Sequence, residues 1–196
     1  MNIEYYNKYL EYEEKGIKSK AKEYINYFIN SFENNNEKNN WTIEYLPKLK
    51  FKKNGNIRYE LLKEIIFPVL LEGYNNKNIN YMIWLAKIIK NYSQGKEIDE
   101  KLNYISDLSI IKECYKLDPN NIEVIDLYIK IMAREIIYRI HEWPSGILIG
   151  NTSIEKDECK ILLNEEIPLL RILDRNKIYN ELINEYEYNL KNYIIR

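Results

Sequence analysis

Few residues in this chain could do covalent chemistry. His141 is the single histidine of 196 residues, with Glu142 and Ser145 close behind it. A base beside a hydroxyl begins nucleophilic catalysis, but a triad is assembled across a fold, not within one short peptide. His141 is therefore expected to end a helix, where a cation suits the dipole. The two cysteines, Cys114 and Cys159, lie far apart in helical patterns and are expected to be reduced, buried thiols. One His and two separated Cys make a poor ligand set for a metal. Glu165 and Glu166 are adjacent and do not share a helix face. Ser145-Gly146 and Gly150 match no glycine-rich phosphate loop. No catalytic residue, metal or cofactor is expected.

Charge offers more. Between Lys38 and Lys63 stand seven basic and two acidic residues, with Lys48, Lys50, Lys52, Lys53 and Arg58 at the centre and Phe51 and Tyr59 among them. Basic side chains interleaved with aromatics can hold single-stranded nucleic acid. A formal net charge of −1 removes whole-surface attraction to it, so nucleic acid is disfavoured. The compensating acids lie later: residues 97–142 and 153–187 each carry a balance of −4. Glu155, Asp157, Glu158, Glu181, Glu185 and Glu187 make the candidate docking face for a protein partner, with Lys50, Lys52 and Lys53 as a basic counterpart.

The elements that must carry these residues are helical. Ile3, Tyr6 and Leu10 share a stripe over 3–14, Gly16 ends it, and Ile17, Ala21, Tyr24, Ile25, Phe28, Ile29 and Phe32 recur at steps of three and four. Asn34–Asn40, NNNEKNN, has no core residue and is expected to be a loop. Residues 42–59 admit a small hairpin, but Pro47 and the lack of other strands favour an irregular connection over about 34–57. Helical spacing returns from Tyr59, and Pro68 should kink or split that helix. Ile79–Tyr92 is apolar over a wide arc. Ser106 or Asp107 is placed to cap the helix ending at Leu117, and Asn120 or Asn121 the one after Pro119. Ile122–Ile140 is the most apolar long helix and is expected at the centre. His141–Asn151, HEWPSGILIGN, reads as a structured turn. Ser153 starts a helix that Pro168 interrupts, and 177–195 form the last one.

Two features set the frame. Only three Ala accompany 19 Tyr, so Tyr and Ile fill positions that Leu and Ala take elsewhere. The N-terminus, Met1–Tyr12, has no basic start or apolar core, and Ile65–Leu71, interrupted by Pro68, falls far short of the roughly 20 residues that span a bilayer. A cytoplasmic protein with no membrane contact is expected.

The run Ile110–Asn121, IIKECYKLDPNN, resembles the second helix and exit turn of a tetratricopeptide repeat, with Leu117-Asp118-Pro119-Asn120-Asn121 at the boundary. The resemblance implies an all-α fold, a single domain over 1–196 in which antiparallel hairpins stack as a repeat-like array of roughly seven to nine helices, and a protein partner. By size, class and compartment the chain also looks like the small helical immunity proteins of bacteria. That likeness implies a non-catalytic inhibitor of a toxin encoded next to it. The alternative is a helical adaptor or regulator that touches nucleic acid through residues 48–58.

Overall fold

The computed structural model describes residues 1–49, 57–92, 96–142 and 156–195; of these, the side chains of 90–92, 96, 99, 142 and 156 are not described. Every regular element among the described residues is helical. The contacts group the chain into two compact units, Met1–Ile110 and Ile111–Arg196.

The first unit opens with α1 (Ile3–Glu14) and α2 (Lys18–Asn30), which pack as a hairpin. Gly16, at φ +70°, makes the turn: its N–H donates to the Glu13 carbonyl, and that of Ile17 to Tyr12. This pair of bonds satisfies the carbonyls that a helix end leaves open, and it needs a left-handed residue where Gly stands.

The next element corrects the sequence reading. Asn34–Asn40 is no loop: α3 runs Asn35–Tyr45, followed by a 3₁₀ turn at Leu46–Lys48. Residues 42–48 are therefore helical, which excludes a hairpin there; residues 50–56 lie outside the description. The polar tract folds because its ends are tied. The Asn34 side chain caps Glu37 N–H at 3.0 Å, while Glu37 Oε2 accepts from Glu33 N–H and from the N-terminal ammonium. Trp41 then anchors the helix in an aromatic cluster, 5.3 Å from Phe28 and stacked on Tyr45 at 4.5 Å. With both ends held, the asparagines need only tolerate helical backbone.

A short α4 (Tyr59–Leu61) leads through a π-helical turn, Leu62–Ile66, into α5 (Phe67–Asn75). Pro68 does not break this helix. The Phe67 N–H reaches back five residues to Leu62, and the widened turn relieves the crowding that a proline ring imposes on the preceding turn. Lys77, at φ +55°, then turns the chain into α6 (Ile79–Tyr92). Helix α5 packs on α6, and α3 on α5 and on the π turn. Leu62, Ile65, Ile66, Leu70, Met82 and Leu85 form the dry centre. Helix α7 (Lys96–Lys101) follows.

Helix α8 (Asp107–Leu117) crosses the boundary between the units. Ser106 caps it at Ser109 N–H, and Asn121 caps α9 at Glu123 and Val124, as the sequence suggests. Helix α9 (Ile122–Glu142) is the longest, and Ile125, Tyr128, Ile129, Met132 and Ile136 are buried on it. It includes His141, so the expected turn begins no earlier than Trp143; residues 143–155, with Ser153, lie outside the description. Helix α10 (Lys156–Ile161), a second π turn (Leu162–Glu166) and α11 (Ile167–Leu173) repeat the earlier device around Pro168. Asp174 accepts from the N–H groups of Ile178 and Tyr179, and α12 (Asn180–Ile195) closes against α9, α10 and α11. Among the described residues no helix is long and apolar enough to cross a membrane.

Candidate functional site: a divided groove on helices α3, α5 and α6

A groove lies on the first unit, with residues of α3, α5 and α6 lining it. It has two chambers. The polar one, about 260 Å³, is lined by Asn35, Asn36 and Asn39 from α3, by Glu72 and Gly73 from α5, and by Asn76 and Asn78 from the following turn. The apolar one, about 250 Å³, is lined by Thr42, Ile43, Leu46 and Pro47 on one side and Leu70 and Trp84 among those opposite.

Tyr81 lines both and divides them. Its hydroxyl donates to Asn39 Oδ1 at 2.8 Å, a bond from α6 to α3. Its ring stands where a side chain at residue 73 would begin: a Cβ on Gly73 would lie 2.3 Å from the ring. Glycine is needed here for close approach, not for an unusual backbone angle.

Thr42 is the anomaly of the groove. It is 0 % exposed, and its Oγ1 has no hydrogen-bond partner among the described residues. An unpaired buried hydroxyl is costly, and native structures hold few of them. Trp84 opposite is half-buried, with the Lys87 ammonium 4.3 Å from its ring centre. In the polar chamber Glu72 is the one charged lining residue, and no described cation lies within ion-pair distance of it. The arrangement can stack, enclose an apolar group and exchange hydrogen bonds with amides.

A second polar cluster sits inside the other unit. Arg139 on α9 donates to Glu166 Oε1 and to the Tyr186 hydroxyl, both at 2.7 Å. Burial works against the Arg139 cation, but Glu166 and Tyr186 outweigh it and raise its pKa. Burial, then Glu166, pushes the Tyr186 phenol well above its usual range, and the same two causes push Tyr128 up to about 12. These side chains satisfy one another in the core. The thiols are likewise withdrawn: burial pushes Cys114 up to about 11 and also raises Cys159. That is the reverse of what activates a nucleophile.

Of the residues chosen from charge, Asp157 and Glu158 lie on α10 and Glu181, Glu185 and Glu187 on α12. Lys50, Lys52, Lys53 and Glu155 lie outside the described residues. Asp157 is exposed and bonded to Lys160 at 2.7 Å, which holds its carboxyl below the usual range. Glu158 is exposed on the same helix. Glu181 and Glu185, one turn apart, share the outer face of α12. Glu187 is held at 2.5 Å by Arg171 of α11 and at 2.5 Å by Lys191, one turn on along α12.

The sequence hides the groove because its α3 wall begins in a polar tract without core residues, Asn34–Asn40. The signal was present: Asn35, Asn39, Thr42 and Leu46 stand at steps of four, three and four, one face of a helix. A scan of family models, a search of curated proteins and a search of solved structures return no match for this chain.

Proposed function

We propose that this chain is a non-catalytic protein-binding protein that takes an extended segment of a partner into the α3–α5–α6 groove. The observation that carries the reading is an apolar chamber lined by Ile43, Leu46, Leu70 and Trp84 beside a row of asparagines. A side-chain amide offers one donor group and one acceptor, the same complement as a peptide bond. Asparagines on one wall can therefore hold a main chain whose side chain fills the apolar chamber. In its concrete form the partner is a toxin and the chain its inhibitor, a role that needs tight occupancy and no turnover. A specific interface of this kind buries roughly 1,200–2,000 Å², so the groove would be its anchor and surrounding helix faces its rim.

Co-expression with the product of the adjacent gene, followed by affinity purification, tests this directly. A stoichiometric partner that co-purifies with wild type, is lost from Trp84→Ala and is inhibited in its own activity is the expected result. Retention by Trp84→Ala together with loss from Glu181→Lys/Glu185→Lys would move the interface to α12. A chain that retains nothing and turns over a substrate would overturn the reading.

A further inference from the structure

The stretch from α4 to α6 recurs in the stretch from α10 to α12 at an interval of 100 residues. Both carry a π turn, Leu62–Ile66 and Leu162–Glu166, and the buried positions that follow keep step: Phe67, Leu70 and Gly73 in one, Ile167, Leu170 and Leu173 in the other. Both turn on the same hydrogen bond, from Lys77 N–H to the Tyr74 carbonyl and from Lys177 N–H to the Asp174 carbonyl, each at 3.0 Å. One design is used twice, and its first use shows which side is built to be covered. There α3 packs on the π turn and on α5, α2 packs on α4, and Leu61, Ile65 and Val69 are buried. At the matching places in the second use, Ile161 is 54 % exposed, Glu165 is exposed and Leu169 is half-buried; Ile172 nearby is 62 % exposed.

We propose that this open face of α10 and α11 pairs with the same face of a second copy of the chain, in an antiparallel two-fold dimer. The charge pattern selects that occupant. Glu165 stands at one end of an apolar stretch, Pro168, Leu169 and Ile172, and Arg175 stands at the other. Both are exposed, and neither is in an ion pair among the described residues. A two-fold axis beside Leu169 lays each Glu165 against the Arg175 of the other copy and closes the apolar stretch on itself, since in such a contact residue i meets j and j meets i. A partner of one strong sign would match one end and be repelled at the other. From Lys156 to Leu173 the helix runs about 27 Å, so the paired faces fall at the lower end of the roughly 1,200–2,000 Å² of a specific interface, and the dimer is a weak one. It uses neither the groove nor its helices, so it stands or falls apart from the binding role above.

Sedimentation equilibrium of the full chain from about 1 to 500 μM, a range that brackets a weak dimer, tests the proposal. Wild type is expected to pass from monomer to dimer and no further, because a two-fold contact is closed. Ile172→Lys should weaken the dimer at least about tenfold while melting within a few degrees of wild type. Glu165→Arg and Arg175→Glu should each weaken it about fivefold, because each sets like charges against one another across the axis. The double variant reverses the pair and should return to within about twofold of wild type, a recovery that damage to folding cannot produce. A chain that stays monomeric over the whole range overturns the proposal. Dimers that Ile172→Lys leaves intact, or charge variants that the double does not rescue, overturn it by placing the contact elsewhere. An Ile172→Lys chain that fails to fold overturns it too, since the face would then be covered from within the chain. So does loss of the co-expressed partner from Ile172→Lys with wild type monomeric, which would give the face to that partner.

Discussion

Pro68 and Pro168 stand 100 residues apart, each two residues after the end of a π-helical turn and each followed, nine residues on, by a lysine in the left-handed region, Lys77 at φ +55° and Lys177 at φ +54°. The backbone solution is the same in both units. The side chains are not. In the first unit the π turn ends in Ile65 and Ile66, both 0 % exposed. In the second it ends in Glu165, which is exposed, and Glu166, which reaches Arg139 and Tyr186. One geometry thus serves a dry core and an ionic one. The proline dictates the turn, and the opposing helix dictates which side chain can follow it.

Exchanging the two chemistries should be severe. Ile66→Glu places a carboxylate where the surrounding side chains are apolar, and it should cost at least about 4 kcal/mol or prevent folding. A soluble variant with a wild-type denaturation midpoint would show that position 66 has access to water or a cation. In the second unit Arg139→Ala strands Glu166 and should cost about 3–5 kcal/mol in urea unfolding. The triple variant Arg139→Leu, Glu166→Leu, Tyr186→Phe removes the whole cluster and should stay within about 1.5 kcal/mol of wild type. If the triple is as damaged as the single, the cluster stabilises by more than mutual satisfaction.

A smaller effect is expected where the first unit opens its groove. Gly73→Ala drives a methyl into the Tyr81 ring and should cost about 1–3 kcal/mol, with Tyr81→Ala in the same chain restoring part of the loss. No rescue would mean that the backbone of α5, not the ring, resists the methyl.

The ionic unit should also show itself in alkali. Burial raises the Tyr186 and Tyr128 phenols above their ordinary value of 10.0, Tyr128 to about 12. Their folded forms hold protons that the unfolded chain releases. Stability is then full below pH 10 and falls as pH rises through 10 toward 12. Tyr186→Phe should flatten that fall, and an unchanged slope in pH-dependent unfolding would remove Tyr186 from the account. Least of all, Lys77→Gly and Lys177→Gly should each raise stability by about 0.5–1 kcal/mol, since glycine enters left-handed geometry freely. A gain at one turn only would show that the two turns are not equivalent.

Much of this fold is legible in the residues. Spacing alone places α1 and α2, Gly16 marks the turn between them, and Ser106 and Asn121 act as the caps their positions suggest. Those features are local: period, cap and left-handed glycine act within a few residues and need no partner. The polar tract at Asn34–Asn40 is different. Its helix depends on Trp41 packing against Phe28 and on Glu37 meeting the N-terminal ammonium, contacts between segments distant in sequence. The charged residues singled out at Asp157, Glu181 and Glu187 carry no mark of their partners, and only folding decides that two of them are neutralised by lysine or arginine while Glu181 stays on the outer face of α12. The sequence by itself determined an all-helical chain, most of its helix limits and the burial of its two thiols, because those follow from periodicity and side-chain polarity. The tertiary structure alone decided that Thr42 would be buried without a partner, that Tyr81 would lie over Gly73, and that Glu72 would face the asparagines of α3. Each of these needs two helices brought to within a side chain's reach, and no pattern along one helix records what the next will present.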